Sequence, residues 1–116
     1  MRPKQVRRTD KPLRRALNEV GDAWSLLILW AAMNEVSRFD AFQRELGVAR
    51  NILSGRLRRL TKAGLLRKAP ISEGARRMEY RLTAKGRALE AALRHMNAWG
   101  DAWAVTSADG ALYAAE

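Results

Sequence analysis

The chain has 116 residues, 22 Lys and Arg against 12 Asp and Glu, one His and no Cys, for a formal net charge of +10. Its length suits a single domain, and 47% hydrophobic residues suffice for a modest core, so disorder of the whole is not expected. Zero cysteine removes disulfides, thiolate metal sites, thiol catalysis and thiol redox sensing, and the lone His95 removes a multi-histidine metal site.

Residues 1–10 are basic and without periodicity, which predicts a flexible arm; no apolar stretch of signal-peptide type follows. A first helix starts near Pro12, which suits a first turn, with Leu13, Ala16, Leu17 and Val20 at helical spacing and Gly21 at its C′ position. Asp22 caps the next helix, Ala23–Met33, which is apolar all round and is expected at the buried centre. This apolar run is too short for a bilayer span of about 20 residues. No membrane contact is expected, and the chain reads as cytoplasmic and nucleoid-associated.

Ser37-Arg38-Phe39 forms a link or strand, and Asp40 with Gln43 resembles a capping box opening a short helix to Leu46. After Gly47-Val48-Ala49 a helix runs from Arg50 to Lys62 and stops at Gly64. Leu53, Leu57 and Leu60 share one face of it, with Asn51, Gly55, Arg58, Arg59 and Lys62 opposite. Leu65–Ala69 and Arg77–Leu82 read as strands around a hairpin tip at 70–76. In the second, Met78, Tyr80 and Leu82 alternate with Arg77, Glu79 and Arg81. Thr83 caps a last helix reaching about Val105, whose Leu89, Leu93, Met96, Gly100 and Trp103 approach a coiled-coil seam.

This order of elements predicts a mainly α fold with a small β-hairpin wing (α+β): a winged helix-turn-helix. The domain spans 11–106, between the arm at 1–10 and a short tail at 107–116. In that architecture the second helix of the pair enters the major groove and the wing reaches the flanking groove or backbone. Charge follows the same division. Residues 44–87 hold 13 basic and 3 acidic side chains, while 88–116 hold 1 and 4. Together with a pI near 11.2, this segregation is the footprint expected for a phosphate backbone. The thirteen cations between Arg44 and Arg87 are expected on one surface.

The chain resembles the HxlR-type family of bacterial winged-helix transcriptional regulators over about residues 12–103. The residues that carry the resemblance begin with Pro12-Leu13, Ala16-Leu17 and Val20-Gly21-Asp22-Ala23-Trp24-Ser25-Leu26-Leu27-Ile28-Leu29. Ser37-Arg38-Phe39, Leu53-Ser54-Gly55-Arg56-Leu57-Arg58-Arg59-Leu60 and Gly64-Leu65-Leu66 follow. Arg77-Met78-Glu79-Tyr80-Arg81-Leu82-Thr83, Gly86 and Trp99-Gly100 complete the pattern. The resemblance implies a homodimer that binds an inverted-repeat operator near a promoter, read here as a repressor. Two departures stand out. Many relatives carry a Cys before the first helix, where this chain has Lys11-Pro12. Relatives also often have a long polar side chain in place of Gly55, and Ser or Thr near Ala49.

Candidate DNA-binding residues follow from these placements. Arg50, Asn51 and Ser54 lie in the half of the recognition helix that faces base edges, where Asn pairs adenine and Arg pairs guanine bidentately. Arg58, Arg59 and Lys62 suit phosphates, and Arg56 either braces the helix or reaches a phosphate. Arg76 and Arg77 on the wing suit a minor groove or phosphate. Arg38, Gln43 and Arg44 are positioned for the backbone from the preceding helix. An ordinary solvated basic face is the alternative for each.

Trp24, Trp30, Trp99 and Trp103 lie on apolar helices, which favours packing over a ligand cage. The last helix, about 33 Å long at 22 residues, outreaches a small domain. Together with the first helix it predicts a dimer interface of Leu13, Leu17, Leu89, Leu93, Met96, Trp99 and Trp103. An enzyme reading finds no nucleophile with a base, no metal cluster and no phosphate loop. No cofactor is expected. The expected partners are double-stranded DNA and a second copy of the chain, with a small-molecule effector left open. The alternative is a winged-helix module for RNA or a protein partner.

Overall fold

The computed structural model describes residues 11–103. The expected arm at 1–10, the tail at 107–116 and the helix end at Val105 lie outside the described residues. Helix α1 (Pro12–Val20) opens with Pro at its first turn and buries only Val20. Gly21 closes it with a right-handed φ of −74°, so a left-handed C′ is not what selects glycine. Space selects it: a Cβ there would collide with the Leu17 carbonyl, which accepts the Gly21 N–H at 2.7 Å.

Helix α2 (Ala23–Met33) is capped as its sequence predicts, the Asp22 carboxylate accepting the Ser25 N–H at 3.0 Å. Ser25, Ile28, Leu29, Ala31 and Met33 are buried on it, whereas Leu27 stays exposed. Helix α3 (Phe39–Leu46) begins two residues earlier than the capping-box reading places it. Arg38 is the N-cap and makes no side-chain cap; Asp40 sits inside the first turn, where its charge still suits the helix dipole. Packing explains the shift, because Phe39 lies against the core and Phe42 within it. The Gln43 amide is drawn off to the Val48 carbonyl at 3.4 Å.

Gly47 ends α3 at φ 65°, a left-handed turn that favours glycine, and its N–H donates to the Gln43 carbonyl. With only residues 47–49 after α3, the chain re-enters a helix, α4 (Arg50–Lys62). Leu53, Leu57 and Leu60 of α4 are 0–1% exposed, as the periodicity requires. Truncating such a leucine to Ala costs about 2–5 kcal/mol.

Strands β1 (Leu66–Pro70) and β2 (Met78–Leu82) form an antiparallel hairpin with Leu66 opposite Leu82 and Pro70 opposite Met78. The alternation expected along β2 is overturned at its centre. Glu79 is the buried residue at 7% exposure, while Met78 is 37% exposed. The link before α3 is the cause: the Tyr80 N–H donates to the Ser37 carbonyl at 2.7 Å, so the linker runs beside β2 and covers Glu79. The long final helix is also divided, into α5 (Ala84–Arg87) and α6 (Glu90–Trp103). Thr83 caps α5 through the Gly86 N–H and donates its hydroxyl to the Gly64 carbonyl. At the break Leu89 N–H bonds the Gly86 carbonyl, a tighter i to i+3 turn, and both Leu89 and Leu93 beyond it pack on the core.

Candidate nucleic-acid interface

Burial of the leucine stripe of α4 forces its other face outward: Asn51, Arg58, Arg59 and Lys62 are all exposed, and Ser54 is half-buried. Gly55 has open space where a side chain would stand. At the start of α4, Arg50 leans back onto α3. Its guanidinium lies 3.4 Å from the Gln43 side-chain oxygen, 3.6 Å from the Asp40 carboxylate and 4.6 Å from the centre of the Phe39 ring. The side chain is still 68% exposed, so these contacts orient it without removing it from solvent.

Arg56 is committed elsewhere. Its Nε donates to Asp22 at 2.9 Å, with the side chain 28% exposed, and Arg59 reaches the other Asp22 oxygen at 3.4 Å. The bracing contact expected of Arg56 is present. Partial burial acts to raise the Asp22 carboxyl, but hydrogen bonds from Ser25 and Arg56 outweigh it and bring the pKa down to about 2.

Arg38 and Arg44 of the α3 region, Arg50 of α4 and Arg77 of the wing line one cleft of about 520 Å³, together with Phe39, Met78 and the single carboxylate of Asp40. Arg76 is exposed beside it in sequence. Among the described residues, Arg44, Arg58, Lys62, Arg76 and Arg77 make no ion pair, which leaves their charge for an external anion.

The thirteen cations are not all on one surface, however. Arg67, Arg81 and Arg87 line a separate hollow that no residue of α3 or α4 enters, and Lys85 pairs with Glu19 of α1 at 2.9 Å. Sequence reasoning missed Glu79 at that hollow. It accepts from Ser37 Oγ at 3.2 Å and Arg81 Nε at 2.7 Å. The Arg81 hydrogen bond holds its carboxyl below the ordinary range against the opposing effect of burial, with Ser37 adding to it. A carboxylate between two arginine-rich positions was the signal available, but strand alternation pointed it at solvent.

Leu13, Leu17, Met96, Trp99 and Trp103 are 53–75% exposed. Leu93 is 6% exposed and belongs to the chain's own core, with Leu89 packed against it. Among the described residues no helix is long and apolar enough to cross a membrane, and no group of acids and His is placed to hold a metal ion.

Two helices joined by a Gly47 turn, the second basic and outward, followed by a hairpin, define a winged helix-turn-helix. The chain belongs to the HxlR-like helix-turn-helix family, whose profile matches residues 19–108. It is 48% identical over 87 residues to the uncharacterized HTH-type transcriptional regulator Rv3095 of Mycobacterium tuberculosis, covering 75% of this chain and 55% of that one. The chain thus spans about half the length of its mycobacterial relatives. It is 31% identical to the uncharacterized HTH-type transcriptional regulator YvaP of Bacillus subtilis, over 77% of this chain and 83% of the relative. The crystal structure of PA1607 superposes with a TM-score of 0.81 at 40% identity, over 87% of this chain and 70% of that one. The reduced form of the transcriptional regulator YodB from B. subtilis superposes at 0.69 and 26% identity, over 82% and 94%.

Proposed function

We propose that this chain is a sequence-specific DNA-binding transcriptional regulator, a repressor that binds an inverted-repeat operator as a homodimer. The observation that carries the reading is the outer face of α4, with Asn51, Arg58 and Lys62 exposed over a leucine floor that is sealed from solvent. A helix about 10–12 Å across fits a major groove about 12 Å wide. On this reading Asn51, Ser54 and Arg50 face base edges, and Arg58, Arg59 and Lys62 face phosphates. The wing residues Arg76 and Arg77 meet the flanking groove, and Arg38, Gln43 and Arg44 the adjoining backbone.

The arginine cleft supports this arrangement because it draws on α3, α4 and the wing together, the three elements a duplex would touch. Dimerisation is supported by the exposed apolar residues of α1 and the far half of α6, where Trp99 and Trp103 are 65% and 75% exposed. The domain is taken to span 11–106.

A salt titration of duplex binding tests the function. A dimer neutralising about 6–10 phosphates loses about 10³–10⁵ in affinity between 50 and 200 mM salt and still prefers one sequence over random duplex. Tighter binding to single-stranded or duplex RNA than to every DNA tested, or a flat salt response, would transfer the assignment to an RNA or protein partner.

A further inference from the structure

The hollow that no residue of α3 or α4 lines measures about 220 Å³ and sits between the end of α2, the 34–37 turn, both wing strands and α5. We propose that it binds a small oxyanion, the carboxylate or phosphate group of a metabolite-sized ligand. The cationic character of its wall comes from the sheet register. Arg67 and Arg81 are direct cross-strand partners, so both side chains leave the hairpin on the same face. Like charges directly opposite destabilise a sheet unless something neutralises them.

The described residues neutralise them only in part. Glu79 takes both Nε and one terminal nitrogen of Arg81 on a single carboxylate oxygen, at 2.7 Å each. Its other oxygen is held by Ser37 Oγ. That anchoring fixes the Arg81 guanidinium and leaves its remaining N–H groups unspent. Arg87 lies 3.8 Å from Glu90, a loose pair on a side chain that is 62% exposed. Arg67 has no ion pair or side-chain hydrogen bond among the described residues.

The charged side chains lining the hollow are Arg67, Arg81 and Arg87 against Glu79 and Glu35; Arg81 is held by Glu79 and Arg87 lies near Glu90, so Arg67 is the cation of the wall without a carboxylate partner among the described residues. Guanidinium forks match the paired oxygens of a carboxylate or phosphate. Glu35 stands on the rim at φ 76°, where its N–H and that of Val36 close the end of α2 on the Ala32 and Ala31 carbonyls. The hollow shares no residue with the arginine cleft, and its anion specificity stands whether or not the protein binds DNA. An occupant would touch both Ser37, which leads into α3, and the wing strands.

The test is an NMR titration of the whole protein, without duplex, with sodium phosphate and separately with sodium acetate, chloride holding ionic strength constant. The result expected is saturating shifts of the amides at 35–37 and 79–82 with at least one anion, and the anion that saturates names the headgroup. Arg67→Gln should weaken that binding about tenfold, the worth of one charge-assisted hydrogen bond, with a melting temperature no lower than the parent's, since the substitution also removes a like charge opposite Arg81. Arg58→Gln, on α4, should leave it intact. Shifts that stay linear with both anions, or equal loss in the two variants, overturn the site. Loss of duplex binding in Arg67→Gln without saturation by either anion makes Arg67 part of a nucleic-acid surface and also overturns it.

Discussion

The carboxylate of Asp22 accepts the Arg56 Nε–H at 2.9 Å across 34 positions of sequence, so the cap of α2 is also the brace of α4. One oxygen of Asp22 serves both the Ser25 N–H and Arg56, while the other meets Arg59 at 3.4 Å. The helix at the centre of the domain thus fixes the rotation of the basic helix about its own axis. Buried leucines hold that helix down, and the ion pair adds a directional restraint beside them.

This arrangement makes stability depend on pH through Asp22, as the pairing of Glu79 with Arg81 does at the wing. Asp22 titrates near 3.8 in an unfolded chain and near 2 when folded, so on acidification the unfolded state takes the proton first. The stabilisation is complete above about pH 4 and is lost as pH falls towards 2. Asp22→Asn keeps a good helix cap but discards the charge. It should lower stability at pH 7 by about 1 kcal/mol, a figure kept small because solvent screens the pair. It should also flatten the loss between pH 4 and 2 in urea unfolding. Parallel acid profiles for the two proteins would remove Asp22 from this role.

How far this was legible in the sequence differs from element to element. The spacing of Leu53, Leu57 and Leu60 gave the buried face of α4, and Asp22 declared itself as a cap, because both are local patterns within one helix. The partnership of Asp22 with Arg56 was not legible, since nothing local links positions so distant in the chain. Glu79 shows the opposite failure. Period-2 alternation is a sound rule for a hairpin with one bare face, and it broke because the Ser37 linker supplied a neighbour on the face assumed to be wet. The capping box at Asp40 failed for a related reason: the burial of Phe39 and Phe42 set where α3 begins, and tertiary packing overrode the local signal.

Gly55 offers a test of whether α4 is shaped for close approach. Nothing lies within 4 Å of where its Cβ would be, so an alanine enters without collision. Gly55→Ala should stabilise the fold by about 0.5–1 kcal/mol, the helix-propensity difference. Thermal unfolding checks that gain. If the variant also binds duplex more weakly despite being more stable, the glycine is there for the approach of the groove. Undiminished binding would mean that a bare backbone is unnecessary at this position.

Base reading and backbone holding should separate on the same helix. Asn51→Ala should relax the preference for one sequence while leaving random-duplex affinity nearly intact, a loss of about 1–3 kcal/mol in discrimination. Arg58→Ala should weaken specific and random duplex alike and reduce the salt slope by about one. Gel-shift measurements with both duplexes at several salt concentrations distinguish the two. An Asn51→Ala variant that loses equally on both duplexes is not a base reader.

The two halves of α6 make opposite predictions about assembly. Leu93 is 6% exposed and packed within its own core, so Leu93→Ala should cost about 2–5 kcal/mol and act first on folding. Trp103 and Trp99 are largely exposed at the other end, alongside exposed Met96, an apolar stretch that the described residues leave open. Trp103→Ala should therefore leave the melting of the monomer unit nearly unchanged while shifting sedimentation velocity towards the monomer at micromolar concentration. Because an operator with two half-sites rewards the dimer, the same variant should bind a single half-site as the parent does and lose its advantage on the paired site. A Trp103→Ala protein that sediments as the parent does would move the interface away from this end of α6, leaving Leu13 and Leu17 of α1 as the apolar surface to examine.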